Sequence, residues 1–234
     1  MSASPVQVVV PVYKAYTATK NCLKTLYRHN RDDHVILIDD GSHDQRLSAL
    51  LAHYVAKASL WTLLINPENM GFVQTANRGL KLSPDNTVLL NTDTLVSQGW
   101  LQRLQDCAQL IPDLATATPW SNNAEICSLP KTLSNNPLPN DIDTLARALY
   151  QHHQPLYPEL PTAVGFCMLV TARAKQQLGY FNEAVFGHGY GEENDYSLRA
   201  SAAGLRNVLV DNAYVAHIGN QSFTEKGLQP DHQS

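Results

Sequence analysis

The sequence predicts an α/β fold in which a mostly parallel central sheet is flanked by helices, within one domain. Over the first hundred residues, short apolar β-branched runs alternate with amphipathic stretches, the pattern typical of βαβ units. These runs are continuous rather than alternating, which indicates strands covered on both faces of the sheet. A chain of 234 residues is long enough to bury one sizeable core.

Four strand and helix pairs account for the first half of the chain. The predicted strands are VQVVVPV at 6–12, HVILID at 34–39, LWTLLIN at 60–66 and TVLLN at 87–91. The predicted helices cover residues 17–29, 45–55, 71–82 and 98–110.

The second half is less regular. Residues 119–141 are rich in Asn, Pro and Ser and predict a long loop or flap, which in a compact domain is usually functional or mobile. The other predicted elements are a helix at 143–152, a strand-like run at 162–171, a short helix at 172–179, an acidic helix from 192, and one or two closing strands at 206–219.

Composition excludes several classes of protein. The formal net charge is −4 and no basic stripe appears, which argues against a nucleic-acid partner. The longest apolar runs are strand-sized, so no transmembrane segment is expected, and the N-terminus lacks the features of a signal peptide. The four scattered cysteines look like buried, reduced thiols. A cytoplasmic protein is therefore expected, with peripheral contact to a membrane left open.

Ligands of such sheets bind beyond the carboxyl ends of the strands, which directs attention to the polar strand ends. Asp39 and Asp40 follow the second strand, where a carboxylate can accept hydrogen bonds from a nucleobase, although Asp-Gly-Ser is also an ordinary turn. Asp93 follows the fourth strand and is either a helix cap or a ligand for Mg²⁺ or Mn²⁺. His217 ends the last strand and is either a satisfied core residue or a ligand.

Three carboxylates, Glu192, Glu193 and Asp195, crowd the start of the acidic helix. Acidic side chains stabilise a helix N-terminus, and Asp195 stands four residues before Arg199, a favourable pair. A purely structural role is thus available to the cluster. Whether the cluster has a functional role instead depends on the rest of the chain.

The succession VPVYKAY, IDDGS, NPENMGFVQTANRGL, LLNTDTLVSQGWL, GFCMLVTARA, GYGEENDYSLRASAAG and AHIG resembles the inverting glycosyltransferases of family 2, which have the GT-A fold. More narrowly, it looks like the bacterial branch that includes rhamnosyltransferase-like enzymes. The resemblance covers residues 6 to about 219.

The resemblance implies a site for a nucleoside diphosphate sugar. The residues it assigns to the donor are Pro11, Tyr13, Asp39, Asp40, Asn69, Gly71, Phe72, Asn77, Asn91 and Thr92. It assigns a divalent metal, Mn²⁺ or Mg²⁺, to Asp93 and His217. The metal motif reads Asn91-Thr92-Asp93, so its first acid is missing and Asp93 is the main carboxylate ligand.

The resemblance also implies the catalytic group. Its acidic motif falls on Glu192, Glu193 and Asp195, with Glu193 as the general base that takes the proton of the acceptor hydroxyl. The implied acceptor is a glycan or a lipid-linked sugar, as in bacterial surface polysaccharide synthesis, at the inner face of the membrane. The acceptor side is expected at Trp120, Gly165 and Phe166.

One glycosyltransferase domain is therefore expected over 1–234, with a donor half (1–97), an acceptor and catalytic half (98–220) and a polar tail (221–234). A glycoside hydrolase would not explain Asp39, Asp93 and His217. A nucleotidyltransferase would show a basic, glycine-rich signature after the first strand, where this chain reads PVYKAYTATK. A non-catalytic domain of this fold, acting as a binding module of a larger protein, is the remaining alternative.

Overall fold

The computed structural model describes residues 6–152, 154–187 and 189–219, so the predicted tail at 221–234 lies outside the described residues. The strands are β1 (Gln7–Val12), β2 (Val35–Asp39), β3 (Trp61–Ile65), β4 (Thr87–Leu90), β5 (Thr94–Val96), β6 (Leu114–Trp120), β7 (Cys167–Val170) and β8 (Arg206–His217). The helices are α1 (Tyr16–Asn30), α2 (Gln45–Lys57), α3 (Phe72–Leu82), α4 (Trp100–Leu110), α5 (Ile142–His152), α6 (Ala172–Leu178), α7 (Glu183–Phe186) and α8 (Glu192–Ala202). A 3₁₀ turn spans Glu125–Cys127.

Among the described residues, these strands form one sheet in the order β3-β2-β1-β4-β7-β6-β8-β5. The β3, β2, β1 and β4 strands are parallel, as the βαβ pattern predicts. The β7 strand runs antiparallel to both β4 and β6, and β5 runs antiparallel to β8. Both predicted halves of the chain therefore contribute strands to the same sheet.

Apolar side chains cover both faces of this sheet. On β1, Val8, Val10 and Val12 pack in the cluster formed with α1, α2 and α4. Val9 points the other way, into a second cluster built from α3, α6 and α8. The alternation along one strand divides the core into two layers, as expected for strands buried on both faces.

Close packing against β1 fixes the position of α3. A Cβ atom on Gly79 would lie 2.3 Å from a methyl carbon of Val9, so only glycine allows this approach of helix to strand. The N-terminus of α3 is thereby held beside the carboxyl ends of β1 and β2. That edge of the sheet is where the sequence places the candidate site.

Two strands were absent from the sequence-based prediction. The β6 strand, Leu114–Trp120, lies inside the sheet although its sequence, LATATPW, is not a strongly apolar run. Thr116 is fully buried and its hydroxyl is hydrogen-bonded to Oδ1 of Asn207 at 2.8 Å. The three-residue β5, at the edge of the sheet, is too short to show a pattern.

Two other expectations, the buried cysteines and the closing strand, agree with the structure. The four cysteines are free and buried. Trp100 is fully buried at the start of α4. The closing segment forms one strand of twelve residues. In the ranges that the structure describes, no helix combines the length and the apolar character needed to cross a bilayer.

Candidate active site

The turn 39–42, which follows β2, contacts two neighbouring loops through its polar groups and its glycine. Asp39, at the strand end, accepts a hydrogen bond from the backbone N–H of Ser42 at 3.0 Å. Gly41 has φ +65°, and a Cβ atom there would lie 2.4 Å from the carbonyl carbon of Glu68. Ser42 accepts from the backbone N–H of Lys14 at 2.9 Å. The turn therefore joins the loops that follow β1 and β3.

Asp40 organises the loop 66–71. Its Oδ1 accepts from Nδ2 of Asn66 at 2.7 Å and from the N–H of Met70 at 2.9 Å, and its Oδ2 accepts from the N–H of Gly71 at 2.9 Å. Asn69 adds a second acceptor for the same Gly71 N–H at 2.9 Å. Asp40 is predicted to contact the sugar donor. In the structure both of its carboxylate oxygens point into the protein and shape the loop ahead of α3.

The end of β1 contributes Pro11 and Tyr13, both half-buried. The next two residues, Lys14 and Ala15, have φ of 53° and 49°, an uncommon left-handed pair for residues other than glycine. The Lys14 ammonium lies over the ring of Tyr13, 5.2 Å from its centroid. This strained corner brings Tyr13 to the carboxyl edge of the sheet beside Asp39.

Asn77 is predicted as a donor-site residue and is held inside the protein by three hydrogen bonds. Its amide is almost fully buried and joins α3 to the segment before α7, more than a hundred residues away. Nδ2 donates to the carbonyl of Phe181 at 2.9 Å and to Glu183 at 2.8 Å, and Oδ1 accepts from the N–H of Phe181 at 3.0 Å. The Asn77 amide therefore joins α3 to the segment before α7, and its predicted contact with the sugar donor stays a prediction. Phe72, at the start of α3, lies near the acidic motif, because a Cβ atom on Gly189 would be 3.8 Å from its Cβ.

The Asn91-Thr92-Asp93 motif leads from β4 into β5. The N–H of Asn91 donates to the carbonyl of Phe166 at 2.9 Å, and the carbonyl of Asp93 accepts from the N–H of Ile218 at 2.8 Å. Thr92 and Asp93 are each 8% exposed. Main-chain bonds on both sides therefore hold the Asp93 carboxylate between the segment that enters β7 and the end of β8.

His217 meets that carboxylate. Its Nε2 lies 3.3 Å from Oδ2 of Asp93, and its ring stacks on Phe166 with centroids 5.3 Å apart. Nδ1 lies 2.6 Å from the carbonyl oxygen of Asn123, which can only accept, so Nδ1 carries a proton. Burial lowers the pKa of His217, but the hydrogen bond and charge of Asp93 outweigh burial and raise it above 6.5.

This pair fits a divalent cation that also takes ligands from a substrate. In the neutral imidazole, the Nδ1–H bond to Asn123 leaves the lone pair of Nε2 facing the Asp93 carboxylate. Among the described residues, no group of three or more His, Cys, Asp or Glu side chains forms a metal cage. One carboxylate and one imidazole, completed by phosphate and water, match the small number of protein ligands that Mg²⁺ and related ions use at phosphate sites.

The acidic motif opens α8 close to this pair. A Cβ atom on Gly165 would lie 3.9 Å from the carboxyl carbon of Glu193, and the next residue, Phe166, stacks on His217. Within the described part of the chain, the buried Oε2 atom of Glu193 has no hydrogen-bond partner. Adjacent residues therefore contact the two groups, since Gly165 lies near the Glu193 carboxyl group and Phe166 stacks on His217.

Burial controls the acidity of the two glutamates. Burial, and to a smaller extent the charge of Glu125, raise the pKa of Glu193. Burial followed by the charge of Glu193 raises the pKa of Glu192 to about 7. Glu192 is 6% exposed, and its Oε2 has no hydrogen-bond partner among the described residues. Carboxyl groups with raised pKa values suit proton transfer near neutral pH.

Asp195, which the sequence groups with the catalytic residues, differs from its two neighbours because it is paired with a cation. Its Oδ2 accepts from Nε of Arg199 at 2.8 Å, the pair expected from their spacing. The same guanidinium donates to the carbonyls of Leu178 and Tyr180 at 2.9 and 3.0 Å. Asp195 therefore stabilises the packing of α8 on the segment after α6.

Several residues near the site were not identified from the sequence. Asn122, Asn123 and Asn136 belong to the Asn-rich segment and connect it to His217. Glu125 lies in the 3₁₀ turn of the same segment, and its charge acts on Glu193. The sequence feature that could have identified them is the Asn-Asn pair, which occurs at 122–123 and again at 135–136. Trp120, predicted on the acceptor side, is half-buried at the end of β6, where this segment begins.

Comparison with solved structures supports the fold. GalNAc-T7 in a complex with UDP, GalNAc and Mn²⁺ matches with a TM-score of 0.73 and 14% identity, over 94% of this chain and 44% of that one. The mannosyltransferase PcManGT from Pyrobaculum calidifontis, in a complex with GDP-Man and Mn²⁺, matches with a TM-score of 0.65 and 16% identity, over 92% and 59%. TarS 1-349 from S. aureus, in a complex with UDP-GlcNAc, matches with a TM-score of 0.65 and 14% identity, over 94% and 61%.

The chain thus spans about half of the length of these solved chains. Identities this low show a common fold, which is that of the GT-A glycosyltransferases. No curated protein sequence matches the chain.

A family profile, Glycosyl transferase family 2, matches residues 7–174. The match includes the carboxyl ends of β1, β2 and β4 and Asp93. Glu192, Glu193 and His217 lie beyond it, so their connection to the site rests on the geometry around Gly165 and Phe166. On the strength of this match, over more than half of its length, the chain belongs to glycosyltransferase family 2.

Proposed function

We propose that the protein is a metal-dependent, inverting glycosyltransferase that moves a sugar from a nucleoside diphosphate sugar to a hydroxyl of a glycan or lipid-linked acceptor. One observation carries the proposal. Gly165 lies near the carboxyl group of Glu193, whose Oε2 has no hydrogen-bond partner among the described residues, and the adjacent Phe166 stacks on His217 of the Asp93–His217 pair. A base and a cation-binding pair around one dipeptide are the two groups that glycosyl transfer from a diphosphate needs.

The donor is proposed to bind at the carboxyl ends of β1, β2 and β4. Asp39, Pro11 and Tyr13 would contact the nucleoside, and the loop 66–71, shaped by Asp40, would border the sugar and phosphates. Asn91 and Thr92 lead to Asp93, where the diphosphate would be held. The solved structures of similar fold carry UDP-GlcNAc or GDP-Man, and the motif resemblance adds dTDP-rhamnose, so UDP, GDP and dTDP are the nucleotides to test.

Asp93 and His217 are the residues that would hold the metal. A divalent cation bound there would neutralise charge developing on the departing diphosphate. An imidazole beside a carboxylate favours Mn²⁺ over Mg²⁺, since nitrogen ligands bind transition metals better than Mg²⁺.

Glu193 is proposed to be the general base. Its carboxylate takes the proton of the acceptor hydroxyl while that oxygen forms a bond to the anomeric carbon. The bond from the anomeric carbon to the diphosphate oxygen breaks, and its electron pair leaves with the nucleoside diphosphate. Because the acceptor attacks opposite the leaving group, the anomeric configuration inverts. General-base catalysis of this kind contributes roughly 10²–10⁴-fold in rate.

Glu192 would assist by sharing a proton with its neighbour. With a pKa of about 7 it carries a proton part of the time at neutral pH, which limits the negative charge beside the base. The acceptor is proposed to lie over Gly165 and against Trp120, in line with a role in bacterial surface polysaccharide synthesis at the inner face of the membrane. Gly165, without a side chain, leaves the Glu193 carboxylate open to that hydroxyl.

A thermal-shift titration tests the donor site. The purified protein is titrated with UDP, GDP, dTDP and their sugars, with and without Mn²⁺, as wild type and as Asp93→Ala. The proposal expects one nucleotide to stabilise the wild type in a metal-dependent way and to lose this effect in Asp93→Ala. No shift with any nucleotide, in protein that remains folded, would contradict the donor site and favour a non-catalytic binding module.

A further inference from the structure

The Asn-rich segment, predicted as a long loop or flap, is a folded loop that carries its own hydrogen bonds. Asn136 is 9% exposed, and its Nδ2 donates to the carbonyls of Asn122, Lys131 and Ser134 at 3.1, 2.8 and 3.2 Å. The N–H of Leu129 donates to the carbonyl of Ser121 at 2.7 Å. The loop 121–136 is therefore a defined structure rather than an irregular connection.

Asn122 attaches this loop to the strand that ends in His217. Its Oδ1 accepts from the N–H of His217 at 2.9 Å, and its Nδ2 donates to the carbonyl of His217 at 3.0 Å. The Asn122 amide thus pairs with both main-chain polar groups of one residue, as a neighbouring strand would. At 4% exposure it is shielded from water, which would otherwise compete for these bonds.

Asn123, the next residue of the loop, fixes the tautomer of the His217 imidazole. The carbonyl of Asn123 receives Nδ1–H at 2.6 Å, so Nε2 faces Asp93. Asn122 holds the main chain of His217, Asn123 sets the tautomer, and Phe166 covers one face of the ring. The loop 121–136 therefore holds the main chain of His217 and sets the protonated nitrogen of its ring, while Phe166 covers one face.

We propose that Asn122 is a positioning residue for His217, through which the loop 121–136 holds the imidazole in the orientation that binds the metal of the donor site. The proposal rests on the proposed function, because it takes Asp93 and His217 as the metal ligands. Partners that orient a metal-binding histidine contribute to affinity although they do not contact the metal. It follows that changes in the acceptor-side loop alter the binding of the metal on the donor side.

A purely structural role for Asn122 makes a different prediction. Loss of buried hydrogen bonds would lower the stability of the metal-free protein and leave the intrinsic affinity of the folded protein for Mn²⁺ unchanged. A positioning role lowers the Mn²⁺ affinity of molecules that are fully folded. The two roles are therefore separated by measuring metal affinity and stability on the same variants.

The experiment measures the dissociation constant of Mn²⁺ from the paramagnetic resonance signal of the free ion. The protein is saturated with UDP, GDP or dTDP, whichever stabilises the wild type most. Asn122→Ala removes both bonds to His217, and Asn122→Ser, which can retain one, serves if the alanine variant does not fold. Asn136→Ala loosens the loop but leaves the Asn122 amide in place. Asn135→Ala removes an exposed asparagine of the same loop and is the matched control.

The proposal expects the Mn²⁺ dissociation constant to rise about 10-fold in Asn122→Ala, the lower end of the usual effect of such partners. Asn122→Ser should give a smaller rise, and Asn135→Ala none. Binding of the nucleotide without metal should be unchanged in all of them. Asn136→Ala, which keeps both Asn122 bonds to His217, should give a smaller rise than Asn122→Ala. Wild-type Mn²⁺ affinity in a folded Asn122→Ala would overturn the proposal.

The Asp93→Ala variant distinguishes failure of the proposed metal site from failure of the positioning role of Asn122. If the wild type binds Mn²⁺ and Asp93→Ala does not, the metal site stands and the Asn122 variants decide the role of Asn122 alone. If Asp93→Ala binds Mn²⁺ as the wild type does, the metal site itself is wrong, and the positioning role is overturned with it.

Discussion

Glu192→Gln should stabilise the protein at neutral pH. Glu192 is 6% exposed, and burial raises its pKa from 4.5 to about 7. The folded state therefore retains a proton that the unfolded chain releases, so stability is highest below the unfolded pKa and falls as the pH rises through about 7. At about 1.4 kcal/mol per pKa unit, the ionised carboxylate lowers the free energy of unfolding by about 3 kcal/mol above neutral pH.

The glutamine variant removes this penalty without changing the shape of the side chain. For a chain of this size, about 3 kcal/mol corresponds to a rise in melting temperature of about 6–12 °C. Urea unfolding between about pH 5 and about pH 8 measures the effect, and the difference between variant and wild type should widen as the pH rises. Glu68→Gln, at an exposed position, controls for the loss of one negative charge.

A difference between Glu192→Gln and wild type that stays constant across this pH range would refute the reasoning. A destabilised variant at neutral pH would refute it as well, since it would mean that the ionised carboxylate stabilises the fold. A confirmed penalty would show that the chain keeps a carboxylate where the fold alone favours a neutral group. Destabilising groups of this kind are characteristic of active sites.

Two further predictions concern neighbours of the site. Glu125→Gln should move the acidic limb of kcat/KM to lower pH, since the charge of Glu125, after burial, raises the pKa of Glu193, and a pH–rate profile against wild type tests it. An acidic limb at the same pH as in wild type would contradict the effect of the Glu125 charge on the pKa of Glu193. Asp40→Ala should reduce the free energy of unfolding by about 3 kcal/mol, because it removes three hydrogen bonds to a carboxylate, although Gly71 retains Asn69 and the Asn66 amide retains Thr75 as acceptors. Chemical denaturation measures this loss. A loss below about 1 kcal/mol would mean that the loop 66–71 does not depend on this carboxylate.

Strands β1 to β4 could be predicted because the apolar run that indicates each strand is local in the sequence. The first four strands are continuous apolar runs, and burial on both faces is what makes such runs continuous. The β6 strand lacked this signal because Thr116 and Thr118 are buried with their hydroxyls bonded to Asn207 and to the N–H of Val164. Polar residues can occupy a buried strand when distant partners satisfy them, and those partners cannot be read from a short window of sequence.

The same contrast between local and distant partners explains which roles in the candidate site could be predicted from the sequence. The pairing of Asp195 with Arg199 follows from helical spacing and was predicted. The role of Asp40 depends on residues 26 and 31 positions away, and that of Asn77 on residues 104 and 106 positions away. A motif identifies which residues gather at an edge, but only the folded chain shows which of them face inward.

The most direct test is the release of nucleoside diphosphate from a donor sugar, with water or a glycan as acceptor. It compares wild type with Glu193→Gln and with Asp195→Asn as a control from the same helix. With Mn²⁺ present, wild type and Asp195→Asn should release nucleoside diphosphate. Glu193→Gln should be slower by roughly 10²-fold or more while binding the donor equally well. Undiminished release by Glu193→Gln would contradict the assignment of Glu193 as the base.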